Sequence, residues 1–329
     1  MTLIFLKYHL KKYPLMNNQD IIKLVYQEVM GPNHIIKSYE MALKYITNEL
    51  NDLCNTNNNL YEYLGNNYVR MDIHNYFKYY KNLDSLCDLF TSSLCDNDNK
   101  NELEETLTSL LSPAELKGYN YIPVSHSETF RNAYLPHYRI IKSSLLTLEH
   151  RVIQLSNFMD KLPNKSIVAL EGRCASGKSS ICDKIKDRYT VIPIDDFFLP
   201  ISLKNKERLE EIGGNINYEL VKETLLNLKE SLRLEKLDFT YKAFDCSRQE
   251  YYEKTIKIKD KIILEGVYSS SPYFRELIDK IMYLYVDSKT QLKRINNRFL
   301  KERFIKEWIP LEEKYFEYIK IDEICDLII

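Results

Sequence analysis

Glycine is scarce in this chain, with 8 in 329 residues, and proline (10) and tryptophan (1) are also rare. That composition excludes collagen-like, linker-like and low-complexity architectures. Histidine is absent beyond His150, so chemistry in the C-terminal half has no imidazole to draw on. The seven cysteines form no Cys-x-x-Cys pair and no Cys/His cluster at metal-ligand spacing. An odd number of lone thiols without an export signal predicts reduced cysteines in a cytoplasmic setting. No run approaches the roughly 20 apolar residues that span a bilayer, so no membrane is expected. The formal net charge is −1, which gives no global attraction to nucleic acid or anionic lipid. No nucleic-acid-binding module is recognisable either.

What is present is 44% hydrophobic and 28% charged residues, the mix of a globular protein long enough for two domains. Residues 1–150 predict a mainly α-helical domain. Asn17 is placed to cap a helix carrying Ile21, Ile22, Leu24, Val25 and Val29, which Gly31-Pro32 stops. Further helices are expected over about 35–50, 75–95 and 102–111. Ser125-x-x-Glu128 has capping-box spacing, and 139–161 reads as helical. His126, Glu128, Arg131, Tyr134, Tyr138 and Arg139 fall close together and read as a capped helix with half-buried tyrosines. Residues 151–164 form the connection to the second domain.

Over 165–329 short β-rich runs alternate with helices. Strands are expected at 167–171, 190–195, 261–264, 281–286 and 324–329, with helices after Gly177, Tyr218, Pro272, Ser288 and Pro310. This alternation predicts an α/β fold of the P-loop NTPase type, a parallel sheet covered by helices on both faces.

Two of the eight glycines frame Gly172-Arg173-Cys174-Ala175-Ser176-Gly177-Lys178-Ser179, followed by Ser180. A chance match to this pattern arises on the order of once in a hundred chains of this length. The preceding strand and following helix are the context a phosphate-binding loop requires. Its glycines let backbone N–H groups converge on phosphates, and the helix adds its positive end. Lys178 would supply charge to the β- and γ-phosphates of ATP, and Ser179 a Mg²⁺ ligand. Two more strands end in carboxylates: Asp195-Asp196-Phe197-Phe198 and Glu265-Gly266. In a parallel sheet the ligand crevice lies beyond the carboxyl ends of the strands, so Gly172, Asp195 and Glu265 converge there. With no histidine available, a base acting on a substrate hydroxyl is a carboxylate, and Asp195 is the best placed. Glu265 is the candidate partner of Ser179 at Mg²⁺.

Together with Tyr241-Lys242-Ala243-Phe244-Asp245 and Ile263-Leu264-Glu265-Gly266, these segments resemble the uridine kinase family of P-loop kinases over residues 165–329. The runs Gly213–Tyr218 and Trp308–Phe316, and parts of the N-terminal region, are similar to a bacterial uridine-kinase-like subgroup. The resemblance implies Asp195 as catalytic base and Glu265 as magnesium ligand. It also implies a substrate pocket drawing on Phe198, Tyr241, Phe244, Asp245 and Arg248, and a lid carrying Arg294, Arg298 and Arg303. The chain departs from the family at Phe244, which lacks a tyrosine hydroxyl, and at Cys246-Ser247-Arg248, where a histidine is expected. The expected activity is transfer of the γ-phosphoryl group of ATP to a hydroxyl of a small molecule, a nucleoside foremost. Other acceptors (a sugar phosphate or a pantothenate-like alcohol) and a non-catalytic, ATP-gated interaction protein stay open. No Asn-Lys-x-Asp motif supports a GTPase switch.

Overall fold

The computed structural model describes residues 5–32, 38–51, 59–65, 67–94, 99–119, 125–296 and 301–329. The chain divides into two compact units, residues 1–157 and 158–329.

The first unit is mainly helical, as its sequence predicts. Asn17 caps the helix Asn18–Met30 through its side chain, and Asp20 closes the reciprocal half of a capping box. Ile22, Leu24, Val25 and Val29 of this helix pack against Leu103, Leu107 and Leu111. The helices Tyr39–Leu50, Ile73–Tyr80, Leu83–Thr91 and Lys100–Leu110 complete most of the layer. Ser127, and not Ser125, caps the helix Glu128–Tyr134, with its hydroxyl accepting from Phe130 N at 3.1 Å. A three-stranded antiparallel sheet, β1 (Tyr61–Tyr63), β2 (Tyr68–Asp72) and β3 (Tyr138–Lys142), was not anticipated. It replaces the start of the helix expected from 139, which begins instead at Leu148. The cause is tertiary: Ile140 and Ile141 are both buried, and β3 is fully paired along β2 from Tyr138 to Lys142.

A buried polar network links these elements. Asp20 accepts from Ser127 N and its hydroxyl and bonds His126 Nδ1 at 3.0 Å. His126 Nε2 lies 2.6 Å from the Tyr138 hydroxyl, which also accepts from Gln27. Lys12, Tyr13 and Arg70 converge on the buried Glu62 carboxylate; burial pushes its pKa up, and Lys12, His9 and Arg70 overcome that and hold it at about 2.

In the second unit, β4 (Ile167–Glu171), β5 (Thr190–Pro193), β8 (Ile262–Glu265), β9 (Lys280–Tyr283) and β10 (Leu327–Ile328) form a parallel sheet in the order β10-β9-β4-β8-β5. Every residue of β4 and β8 is buried, as central strands covered on both faces require. Helices Lys178–Ile185, Tyr218–Arg233, Ser288–Ile295 and Ile309–Ile319 fall where the sequence puts them. After Pro272 there is only a 3₁₀ turn, Arg275–Leu277. β6 (Asp238–Asp245) and β7 (Glu250–Lys257) form a separate antiparallel hairpin.

Candidate functional site

β4 ends in Glu171, and the chain then curls through Gly172–Gly177 into the helix that opens at Lys178. Gly172 passes so close to the next strand that a Cβ there would meet Leu284 O at 2.7 Å. Gly177 caps the helix at φ 105°, a conformation natural only to glycine. Lys178 is nine-tenths buried, and its ammonium donates to Gly172 O at 2.7 Å and Arg173 O at 2.9 Å, so the loop is wrapped around its charge. Arg294 grips the loop from outside, with Nη1 donating to Ala175 O and Ser176 O, each at 2.8 Å.

One cavity is lined by Cys174 through Ser180, Asp195, Phe198 and Glu265. The carboxylates reach it because β5 and β8 flank each other and β8 flanks β4, so three strand ends meet at one edge. Asp195 opens onto the cavity; enclosure by its walls pushes its pKa up, Lys178 opposes and Asp196 adds. Burial pushes Glu265 up to about 7, with Lys178 opposing and Asp195 and Glu171 adding. Ser176 Oγ is buried, lines the cavity and makes no hydrogen bond within the protein. An unsatisfied hydroxyl beside a glycine-built loop and a lysine fits a phosphate oxyanion. The exposed Ser179 hydroxyl and the Glu265 carboxylate are hard oxygen donors of the kind Mg²⁺ takes.

Other expected site residues are held by contacts of their own. The Arg173 side chain forms a two-point ion pair with Glu313 and lies over the Phe316 ring at 5.0 Å. The Cys174 thiol is pushed up to about 12 by burial and by Glu312, the opposite of an activated thiol. Tyr241 is buried, stacks with Phe197 and Phe239, and donates to Asp196 at 2.5 Å. Phe244 packs on Tyr251, and Asp245 accepts from Ser247 and Arg248 in the hairpin turn, where Arg248 is exposed. Of the five expected substrate residues, only Phe198 lines the cavity. Arg303 pairs with Glu307 and lies 5.3 Å from the Trp308 ring. Arg298 lies outside the described residues.

Sequence reasoning missed Asn215, Tyr268, Phe304, Trp308 and Glu312, all of which line the cavity. Glu312 accepts from the Cys174 backbone N–H at 3.0 Å. In the sequence Glu171 marks only the end of a strand. It is fully buried and accepts from Gly172 N, Ser270 N, the Ser270 hydroxyl and the Tyr315 hydroxyl. The one available signal was the run Trp308–Phe316, whose Glu312, Glu313, Tyr315 and Phe316 fall on one side of a helix at i, i+3 and i+4 spacing.

The fold and this loop define an α/β unit of the P-loop type. Among proteins of known activity, the chain is similar to uridine-cytidine kinase B of Dictyostelium discoideum, 28% identical over 149 residues, 42% of this chain and 59% of that one. It is also 26% identical over 150 residues to uridine-cytidine kinase A of the same organism, 43% of this chain and 30% of that one. The chain thus spans less than two thirds of the length of either relative. A solved structure described as a possible uridine kinase from Bacillus stearothermophilus covers 56% of this chain and 99% of its own, at 17% identity and a TM-score of 0.44. No family model matches. The two relatives bear out the resemblance to uridine kinase-like P-loop kinases drawn from the motifs.

Proposed function

We propose that the second unit is an ATP- and Mg²⁺-dependent kinase that phosphorylates a hydroxyl of a small molecule, with a nucleoside as the foremost acceptor. The observation that carries this reading is the meeting of Lys178, Asp195 and Glu265, from three separate strand ends, in one cavity. Likeness to two uridine-cytidine kinases supports it. The backbone of Ala175–Ser180, the Ser176 hydroxyl and Lys178 would bind the phosphates, and Ser179 with Glu265 would hold Mg²⁺. Bound there, the metal supplies charge neutralisation at the phosphates. Asp195 orients the attacking hydroxyl and takes its proton. Its raised pKa makes it a better proton acceptor than an ordinary aspartate. Arg294 holds the loop in shape from behind, and Arg298 and Arg303 are candidates for closing over the phosphates.

The test is incubation with Mg·ATP and a panel of nucleosides and other alcohols, following ADP and phosphorylated product. Acceptor-dependent product that is lost in Lys178→Ala supports the reading. Tight ATP binding with no turnover on any acceptor overturns it and favours an ATP-gated interaction protein.

A further inference from the structure

The first unit carries a groove of about 480 Å³, lined from the helices Ile73–Tyr80 and Leu83–Thr91 and from the start of the helix at Leu148. Tyr76 and Tyr80, one turn apart on the first of these helices, stack with ring centroids 4.6 Å apart. The His150 ring stands edge-on to Tyr80 at 5.3 Å and 71°. Leu89 and Leu145 complete an apolar wall, and the exposed Asp88 and Glu149 also line the groove.

Two donors belong to this wall. Thr147 and His150 cap each other, the Thr147 hydroxyl accepting from His150 N at 3.2 Å and His150 Nδ1 from Thr147 N at 3.1 Å. Nδ1 is therefore bare. Burial lowers the ring to a pKa of about 4, so at neutral pH its one proton sits on Nε2. His150 is 4% exposed, and among the described residues nothing accepts from that N–H. The Tyr80 hydroxyl is buried without a hydrogen-bond partner, and burial raises its pKa, so it too keeps its proton. Buried donors call for an acceptor, and the groove is the side from which one can come.

The surrounding charge sets what that acceptor can be. Asp88 and Glu149 are two carboxylates that form no ion pair among the described residues, and no lysine or arginine is among the described lining residues. Lys142 touches the lining at Ser92, where it donates to the carbonyl oxygen at 3.4 Å. The charges that act on the Tyr76 and Tyr80 hydroxyls are nonetheless negative, Glu149 on both and Asp88 on Tyr76. An anionic acceptor is therefore repelled, and a neutral oxygen is accepted. Aromatic rings beside carboxylates attract an ammonium group as well.

We propose that this groove is a binding site for a small amino alcohol. The ligand's hydroxyl oxygen accepts from His150 Nε2–H and from the Tyr80 hydroxyl, and its ammonium group faces the aromatic rings, Asp88 and Glu149. The site shares no residue with the phosphate-binding cavity and stands independently of the kinase reading.

Choline is the probe, and 3,3-dimethylbutan-1-ol, which has its shape without its charge, is the control. In calorimetric titration of the full chain, choline is expected to bind about tenfold more tightly than the control. Phosphocholine is expected to bind at least tenfold more weakly than choline. Asp88→Asn combined with Glu149→Gln changes two exposed positions and should cut choline's advantage over the control to about threefold. In protein carrying ¹⁵N-labelled histidine, the Nε2 resonance absent from His150→Gln should shift on saturation with choline, and should shift equally in Lys178→Ala. The last comparison separates this groove from the phosphate-binding cavity. No saturable heat from choline, equal affinity for choline and its neutral control, an advantage unmoved in the double variant, or a His150 resonance that choline leaves in place overturns the proposal.

Discussion

Asp195 and Asp196 are neighbours in sequence with different surroundings. Asp195 opens onto the cavity, while Asp196 accepts the Tyr241 hydroxyl at 2.5 Å and pairs with Lys254 at 2.9 Å, tying the hairpin β6–β7 to the end of β5. Substitution should separate the two. Asp195→Asn is expected to lower phosphorylated-product formation by roughly 10²–10⁴-fold with an unchanged melting temperature. Asp196→Asn is expected to cost about 1–3 kcal/mol of stability in urea titrations, because the Lys254 ammonium loses its counter-charge. If Asp196→Asn leaves the urea midpoint unchanged, the anchoring role is wrong. Gly172 offers a third probe. A Cβ would sit 2.7 Å from Leu284 O and 3.1 Å from Ser176 Oγ, so Gly172→Ala must displace the phosphate loop. We expect at least tenfold weaker ATP binding by calorimetry, on the order of 1.4 kcal/mol.

At the scale of elements, the helix Ile309–Ile319 clasps the phosphate loop through Glu312 on Cys174 N, Glu313 on Arg173 and Tyr315 on Glu171. Burial raises the Glu171 pKa, against the four donors that surround it. Removing one, as in Tyr315→Phe, should destabilise the unit by about 1–3 kcal/mol, read as a lowered denaturant midpoint with an unchanged slope. The parallel strands were legible because central strands are apolar throughout, and the P-loop, Asp195 and Glu265 because strand-end residues share one edge. The clasp was not legible, since the i, i+3, i+4 pattern of Glu312, Tyr315 and Phe316 says that a face exists without saying what it meets. The hairpin escaped notice for a related reason. Only alternate residues of β6 are buried up to Ala243, and β7 is largely open, so neither strand has the continuous apolar run that marks the parallel sheet. For β3, Tyr-Arg-Ile-Ile-Lys satisfies helical and strand spacing alike, and its pairing with β2, some 70 positions earlier in the chain, decides between them.

For the whole molecule, the distribution of histidine sets a difference in acid response between the two units. His9, His126 and His150 are nearly fully buried, and burial lowers each to a pKa of about 4 from 6.5. A lowered folded-state pKa means that the unfolded chain binds the proton first, so stability present above pH 6.5 is lost as pH falls toward 4. The cost is up to roughly 3 kcal/mol for each histidine. Asp72, which burial raises to about 6, offsets part of this, but three such losses still approach the stability of an ordinary domain, about 5–15 kcal/mol. Glu62, held near 2, adds its own loss only below about 4.5. The second unit contains no histidine, and its Glu265 has the opposite sign. With its folded pKa raised to about 7, that carboxyl favours the folded form as pH falls from 7 toward 4.5. Hydrogen exchange followed by mass spectrometry from pH 7 to 4.5, corrected for intrinsic rates, should show amides of the first unit losing protection while those of the second retain it. His150→Gln removes one titrating group and should shift the first unit's acid midpoint downward. Simultaneous loss of protection in both units, or an unmoved midpoint in the variant, would show that buried histidine does not govern the acid response.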